Sequence, residues 1–199
     1  AVNANGDSAA SSGVSVTPIP PLTGSYDALA VVTLTGNTNS VSFYGIPQTG
    51  YQHLQIRSIQ RMGTGGGANG VIRFNDDSGS NYNSHYLGGN GVSGPYAGFF
   101  QNGSYTGAYC WDATGPSTAN SEYMFSASII DILDYTNTTK YKTTRSYSSN
   151  EVNGSGGNVS ILGGTWRSTA AINSITLIDA PGGAPMGSNT QFALYGIRG

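Results

Sequence analysis

His53 and His85 are the only histidines in the chain, so any site built on an imidazole must use one of them. A nucleophilic site needs that imidazole beside an acid and a hydroxyl or thiol. Ser84 precedes His85 directly, but adjacency in sequence does not align a hydroxyl with a ring nitrogen, and no Gly-x-Ser-x-Gly turn presents a serine. Both histidines read as half-exposed strand side chains. Glycoside hydrolysis needs two carboxylates about 5–9 Å apart. Glu122 and Glu151 are the only glutamates. Asp131 and Asp134 are three apart and so face opposite sides of a regular strand. No catalytic residue is assigned, and the expectation is a protein that is not an enzyme.

Binding chemistry has two candidates. Asn75-Asp76-Asp77-Ser78-Gly79-Ser80-Asn81 gathers oxygen ligands in a glycine-bearing turn, which makes Asn75, Asp76 and Asp77 the candidate metal ligands. Ca²⁺ there would act as a structural clip. The Asp-x-Asp-x-Asp-Gly spacing and distal Glu of a calcium loop are missing, so an Asx-rich turn is the stronger reading and no cofactor is expected. The second candidate is aromatic. Tyr105, Tyr109, Trp111 and Trp166 offer apolar ring faces with polar tips, the requirement for stacking on sugar rings. The segment YTGAYCW (105–111) is the expected exposed patch. The competing reading places the same side chains in the core and at subunit interfaces.

The elements that would carry these residues are strands. From Leu22 onward, short runs of alternating apolar and polar residues are separated by Gly/Asn/Ser/Pro turns at spacings near ten residues, the pattern of a sandwich or barrel. Candidate strands span 28–35, 40–46, 52–61, 70–75, 82–88, 96–101, 105–111, 122–136, 139–148, 158–166, 172–179 and 191–197. In 52–61, Leu54, Ile56 and Ser58 share one face. In 172–179 both faces carry apolar side chains, which predicts cover on both. Residues 121–136 also fit a helical face, but their Ile, Tyr, Ser and Phe content favours a long strand with a bulge near Ile129–Ile130. The glycine-rich loops at 63–70, 88–94, 153–157 and 181–185 lack the lysine and context of a phosphate loop.

Composition points the same way. Charged residues are 9% of the 199, with thirty glycines and thirteen tyrosines, against about 25% charged in ordinary domains. Eight scattered basic residues and a net charge of −2 argue against nucleic acid. Lys140, Lys142 and Arg145, the one basic cluster, fit protection of a strand edge. Cys110 is the only cysteine and reads as a small buried hydrophobe. No run of 18 apolar residues predicts a membrane-spanning helix, and no signal-peptide pattern opens the chain. Ala1 is of a type that permits removal of an initiator methionine, so a complete small protein is expected. Residues 1–21 are small and polar, ending in Pro-x-Pro-Pro, and read as an extended arm ahead of a single domain at 22–199. Val14, Val16, Pro18, Ile19, Pro20 and Pro21 are its anchoring residues.

Five segments taken in order, VSFYGIPQTGYQHLQIRSIQR, IRFNDDSGSNYNSHYL, IIDILDYTNTTKYKTTRS, GGTWRSTAAINSITL and FALYGIRG, resemble a jelly-roll-like β-domain of tailed-bacteriophage virion proteins. The likeness runs from Val41 to Gly199. It implies an all-β, antiparallel jelly-roll-like β-sandwich with a structural role on the virion surface: capsid decoration or cement, head fibre, or tail appendage. It implies no catalytic residues. No coiled-coil or repeat stalk is present, which favours a small decoration subunit. The expected partners are other virion proteins, reached through the arm, and copies of the chain itself, with a trimer the leading expectation. A carbohydrate-binding adhesin for host surface glycans is the alternative. The echo of Phe43-Tyr44-Gly45-Ile46 in Leu194-Tyr195-Gly196-Ile197 suggests that early and late strands lie side by side.

Overall fold

The structure, a computed structural model, describes residues 24–64, 68–100, 106–113, 123–151, 157–179 and 184–199. The arm residues Val14 to Pro21, Tyr105 and Glu122 lie outside the described residues. The chain forms β1 (Tyr26–Thr33), β2 (Ser40–Phe43), β3 (His53–Gln60) and β4 (Ala68–Phe74). It continues through β5 (Tyr82–Gly89), β6 (Pro95–Phe100), β7 (Ala108–Ala113) and β8 (Ser126–Leu133). The last four strands are β9 (Lys142–Glu151), β10 (Gly157–Trp166), β11 (Ile175–Asp179) and β12 (Gln191–Ile197). Each coincides with one of the twelve runs of period-two patterning, with ends shifted by up to four residues.

Eight strands form one sheet in the order β1-β12-β3-β8-β9-β10-β5-β6, and four form a second in the order β2-β11-β4-β7. Setting aside the hairpins β5–β6 and β9–β10 leaves eight strands that pair first with last: β1 with β12, β2 with β11, β3 with β8 and β4 with β7, all antiparallel. That is a jelly roll. The two hairpins add four strands to the larger sheet alone. The expected all-β sandwich is present, and first and last strands are neighbours. The echoed segments do not pair, however: Phe43 ends β2 in the small sheet, whereas β12 lies between β1 and β3.

The main core lies between the sheets. Leu54, Ile56, Ile130, Ile132, Phe192 and Leu194 meet Val41, Phe43, Ile72, Phe74, Ile175 and Leu177. Residues 126–133 are a strand, as their composition favoured, but it is shorter than expected and in unbroken register with both neighbours, so there is no bulge near Ile129. It ends where Asp134 takes a left-handed φ of 46°. Lys140, Lys142 and Arg145 do not protect an edge, because β9 has a strand on each side. Lys142 is fully buried, and its ammonium donates to the carbonyls of Asn137, Lys140 and Thr169. Burial, then the Lys140 charge, lowers its pKa.

The strand β7 holds the small sheet to the extension. It pairs with β4 on one side only, yet all six of its residues are buried. Its free-edge amides go to serines of the large sheet: Asp112 N–H donates to Ser148 Oγ at 3.1 Å, and Tyr109 N–H to Ser84 Oγ at 2.9 Å. A hydroxyl chain backs the first contact. Gln60 Nε2 donates to Ser128 Oγ at 2.7 Å, Ser128 to Ser148 Oγ at 2.9 Å, and Ser148 to the Asp112 carbonyl at 3.3 Å. Ser58, Ser128, Ser148 and Ser160 form one cross-strand row beneath this strand. Hydroxyls are short enough for close approach and polar enough to satisfy a backbone that no strand pairs.

Ser148→Ala leaves the Asp112 amide unpaired and is expected to cost about 1–3 kcal/mol. Thr143→Ala, on the opposite face of the same strand, should stay within about 0.5 kcal/mol of wild type. Urea-unfolding midpoints of the two variants check the difference.

Candidate interaction face

Three of the four aromatic residues expected at a sugar site lie among the described residues, and all three are buried. Trp111 has no exposed surface; its ring packs 5.6 Å from Phe192 in the core. Trp166 is 3% exposed, lies nearly parallel to Tyr82 at 6.4 Å, and donates its indole N–H to Asp77 Oδ2 at 2.7 Å. Tyr109 is 9% exposed, and Tyr105 is outside the described residues. The stretch around Trp111 is therefore not an exposed sugar platform. The added hairpins cover what would otherwise be the outer side of an edge strand.

Asn75, Asp76 and Asp77 occupy the β4–β5 turn, with Asn75 and Asp76 at left-handed φ of 53° and 55°. The side-chain oxygens of Asn75 and Asp77 are engaged by protein donors. Asn75 Oδ1 accepts the amides of Asn173 and Ser174, and its Nδ2 donates to the Ala171 carbonyl. The Asp77 carboxylate accepts from Gly79 N–H, the Asn81 amide and the Trp166 indole. These residues fasten the turn to Trp166 and to the loop before β11. No group of three His, Cys, Asp or Glu side chains within reach of one metal ion occurs among the described residues.

The histidines are on β3 and β5, four strand spacings apart, about 19 Å. His53 Nδ1 accepts the Asp134 amide at 2.9 Å. The Asp134 carboxylate is held below its ordinary pKa by Lys140 and then Gln52. Asp131 points outward and pairs with Arg145 at 2.7 Å and with Gln55 at 2.8 Å. Cys110 is fully buried as expected, and burial pushes its thiol pKa up.

What the sequence reading missed is the outer face of the large sheet. One register row crosses seven strands: Ala193, Arg57, Ile129, Tyr147, Ile161, Leu87 and Ala97. The adjoining row adds Ile59 and Val159. Ile59, Ile129, Tyr147, Val159, Ile161 and Leu87 are each 41–55% exposed. The one cation in the long row, Arg57, lies 5.9 Å and 5.8 Å from the Tyr26 and Tyr195 ring centres. A groove of about 340 Å³ opens among Ile59, Ile129, Tyr147 and Tyr195 over a floor that includes Ala127 and Ser149. Around Tyr147 of β9 and over Val159–Ile161 of β10 the usual polarity is inverted, although Leu162 and Trp166 of β10 stay inside. Ser146, Ser148 and Ser160 point inward, whereas Tyr147, Val159 and Ile161 point to solvent. The sequence signal was partial: Val159 and Ile161 alternate with Asn158 and Ser160, but the alternation does not say which set faces in.

Acid stability carries the mark of the Trp166 anchor. Burial alone would raise the Asp77 pKa, but hydrogen bonds from Trp166, Asn81 and Gly79 together hold it below the ordinary 3.8. A carboxylate depressed by folding stabilises the native state above its unfolded pKa. That contribution is lost as pH falls from about 3.8 through the lower folded value. Asp77→Asn should therefore be less stable than wild type at neutral pH, with the gap narrowing below pH 4. Unfolding midpoints from pH 6 to pH 2 check this; a gap that does not change with pH contradicts it.

No protein-family model, no curated protein and no solved structure matches this chain.

Proposed function

We propose that this chain is a non-enzymatic structural subunit that works by packing the outer face of its large sheet against a second copy of itself. The observation that carries the reading is the exposed apolar row, with Ile129, Tyr147, Ile161 and Leu87 facing solvent while Ser146, Ser148 and Ser160 beside them face in. An isolated domain gains nothing from exposing that row, whereas a second apolar face would bury it. The row spans six strand spacings, about 29 Å, and two rows with their flanks are about 15–20 Å wide. That is about 500 Å² per copy and about 1,000 Å² for a pair, the size at which specific interfaces begin. The low charge suits close association, since a net charge of −2 generates little repulsion between copies.

The place of assembly follows from the five-segment resemblance: the surface of a tailed-phage virion, as a capsid decoration, cement or head-fibre subunit. The segment 1–21 precedes β1, an edge strand of the large sheet, and in this reading its residues Val14 to Pro21 anchor the subunit to other virion proteins. Two identical faces meeting each other close as a two-fold pair, whereas a trimer requires the face to meet a different surface of its neighbour.

Sedimentation velocity tests the assembly. Wild type should sediment as an oligomer, and Ile129→Asp and Ile161→Asp as monomers with thermal unfolding close to wild type. A monomeric wild type at tens of micromolar overturns the proposal. Gold-labelled antibody on intact phage particles tests the location, with label expected across the head.

A further inference from the structure

A second feature is independent of the outer face. Where β7 meets the inner side of β10, β5 and β6, a cavity of about 220 Å³ opens among Tyr86, Tyr96, Phe100, Tyr109, Asp112 and Asn158, with Asn69 and Ser160 completing its lining. A β-bulge makes it. The β4–β7 register shifts between Gly70 and Val71, so that Val71 faces Tyr109 while Gly70 faces Trp111, leaving Cys110 as the extra residue. Residues three apart in a regular strand point to opposite faces. Across this bulge Tyr109 and Asp112 point the same way, and the phenol donates to Asp112 Oδ1 at 2.7 Å. Bulges re-aim side chains in this manner beside functional sites.

The aromatic walls are also placed by backbone. Tyr86 is the cross-strand partner of Gly98, and Tyr96 of Gly88. A Cβ on Gly98 would lie 2.4 Å from the Tyr86 hydroxyl, and one on Gly88 would lie 2.6 Å from that of Tyr96. Each ring therefore lies flat over the opposite glycine. Phe100 stands 5.3 Å from Tyr86 and edge-on to Tyr109 at 5.2 Å. Tyr86, Tyr96 and Phe100 are only half-buried, which places the mouth on their side.

At the base is Asp112, 9% exposed. Its carboxylate accepts from Tyr109 at one oxygen and from Ser160 Oγ, at 2.6 Å, at the other. A carboxylate has about four lone-pair positions, so about two remain for a ligand. Asn158 Oδ1 accepts the Tyr96 hydroxyl at 3.2 Å. No lysine or arginine lines the cavity. Flat aromatic faces, a desolvated hydroxyl acceptor and flanking amides together recognise a ring that is apolar on its faces and hydroxylated on its rim. The volume is below the roughly 300–1,000 Å³ of drug-sized pockets and suits one such ring.

We propose that this cavity binds a single neutral pyranose, as a free sugar or as the terminal residue of a glycan, with Asp112 accepting two of its hydroxyls and Tyr86 and Tyr96 stacking on its face. A uronic or sialic acid is rejected, because its carboxylate would meet that of Asp112 without a cation between them. The sugar site expected around Trp111 thus moves to the opposite side of the same strand, and keeps only Tyr109 of the residues first named.

Saturation-transfer NMR on the full chain tests the site, with glucose, galactose, mannose and N-acetylglucosamine against glucuronic acid, each at about 10 mM. At least one neutral sugar should show transfer with a dissociation constant of about 1 mM, and glucuronic acid none. Tyr86→Leu should weaken that binding at least tenfold. Because a substitution near Asp112 can disturb β7, Gly98→Ala serves as a second variant, displacing the Tyr86 ring without replacing any lining residue. Each variant is read only with a wild-type unfolding midpoint. No transfer from any neutral sugar, equal transfer from glucuronic acid, or undiminished binding in both folded variants overturns the proposal.

Discussion

The structure depends on how one strand edge is satisfied. In a sandwich the last strand of the smaller sheet ordinarily leaves a row of amides to water, or hides it under a loop. Here β7 is buried on both faces and paired on one side, and its free amides are answered by Ser84 and Ser148 of the facing sheet. Side-chain hydroxyls on the larger sheet do the work of a missing neighbour strand. For that they must stand in register under β7, and the larger sheet must extend far enough to reach it. The hairpins β9–β10 and β5–β6 supply that extension, and under β7 their inner faces set Ser84, Ser148 and Ser160 among buried aromatic and aliphatic side chains such as Tyr82 and Leu162.

Two consequences follow for the rest of the molecule. Ser146 and Ser148 of β9 and Ser160 of β10 take inner positions, so Tyr147, Val159 and Ile161 fall on the alternate positions and face outward. The face that results is better suited to another protein surface than to water. The bulge that lets Trp111 stay in the main core also turns Asp112 away from it, toward Tyr109. A buried carboxylate beside flat tyrosine rings is the outcome. The apolar outer face and the cavity are thus products of the same strand and its cover, on opposite faces of one sheet extension.

Much of this was legible in the residues. Period-two alternation located every strand, because the pattern is local and each strand is short. The first-with-last pairing followed from the jelly-roll likeness. Three things were not legible. The alternation in KTTRSYSS and NVSIL has two possible polarities, and only the position of β7 decides that the serines face in. Trp111 read as exposed because the tyrosines beside it suggested a platform of ring faces with polar tips, and nothing local announces that its strand is buried on both faces. Asp112 looked like one acid among ten, since Tyr109 and Asp112 share a face only through the bulge at Cys110. The turn at Asn75–Asp77 read correctly as Asx-rich, but its anchor, Trp166, is 89 residues away.

The meeting of two outer faces is tested most directly by a single engineered thiol. Ala127 is exposed on β8 at the floor of the outer groove, and the only native thiol, Cys110, is fully buried. In Ala127→Cys a bismaleimide of about 10 Å span, the distance between stacked sheets, should join two chains rapidly at low micromolar concentration. The product should be a covalent dimer that Ile161→Asp abolishes. A thiol that reacts fully with a monofunctional maleimide yet yields only monomer with the bismaleimide would contradict assembly through this face.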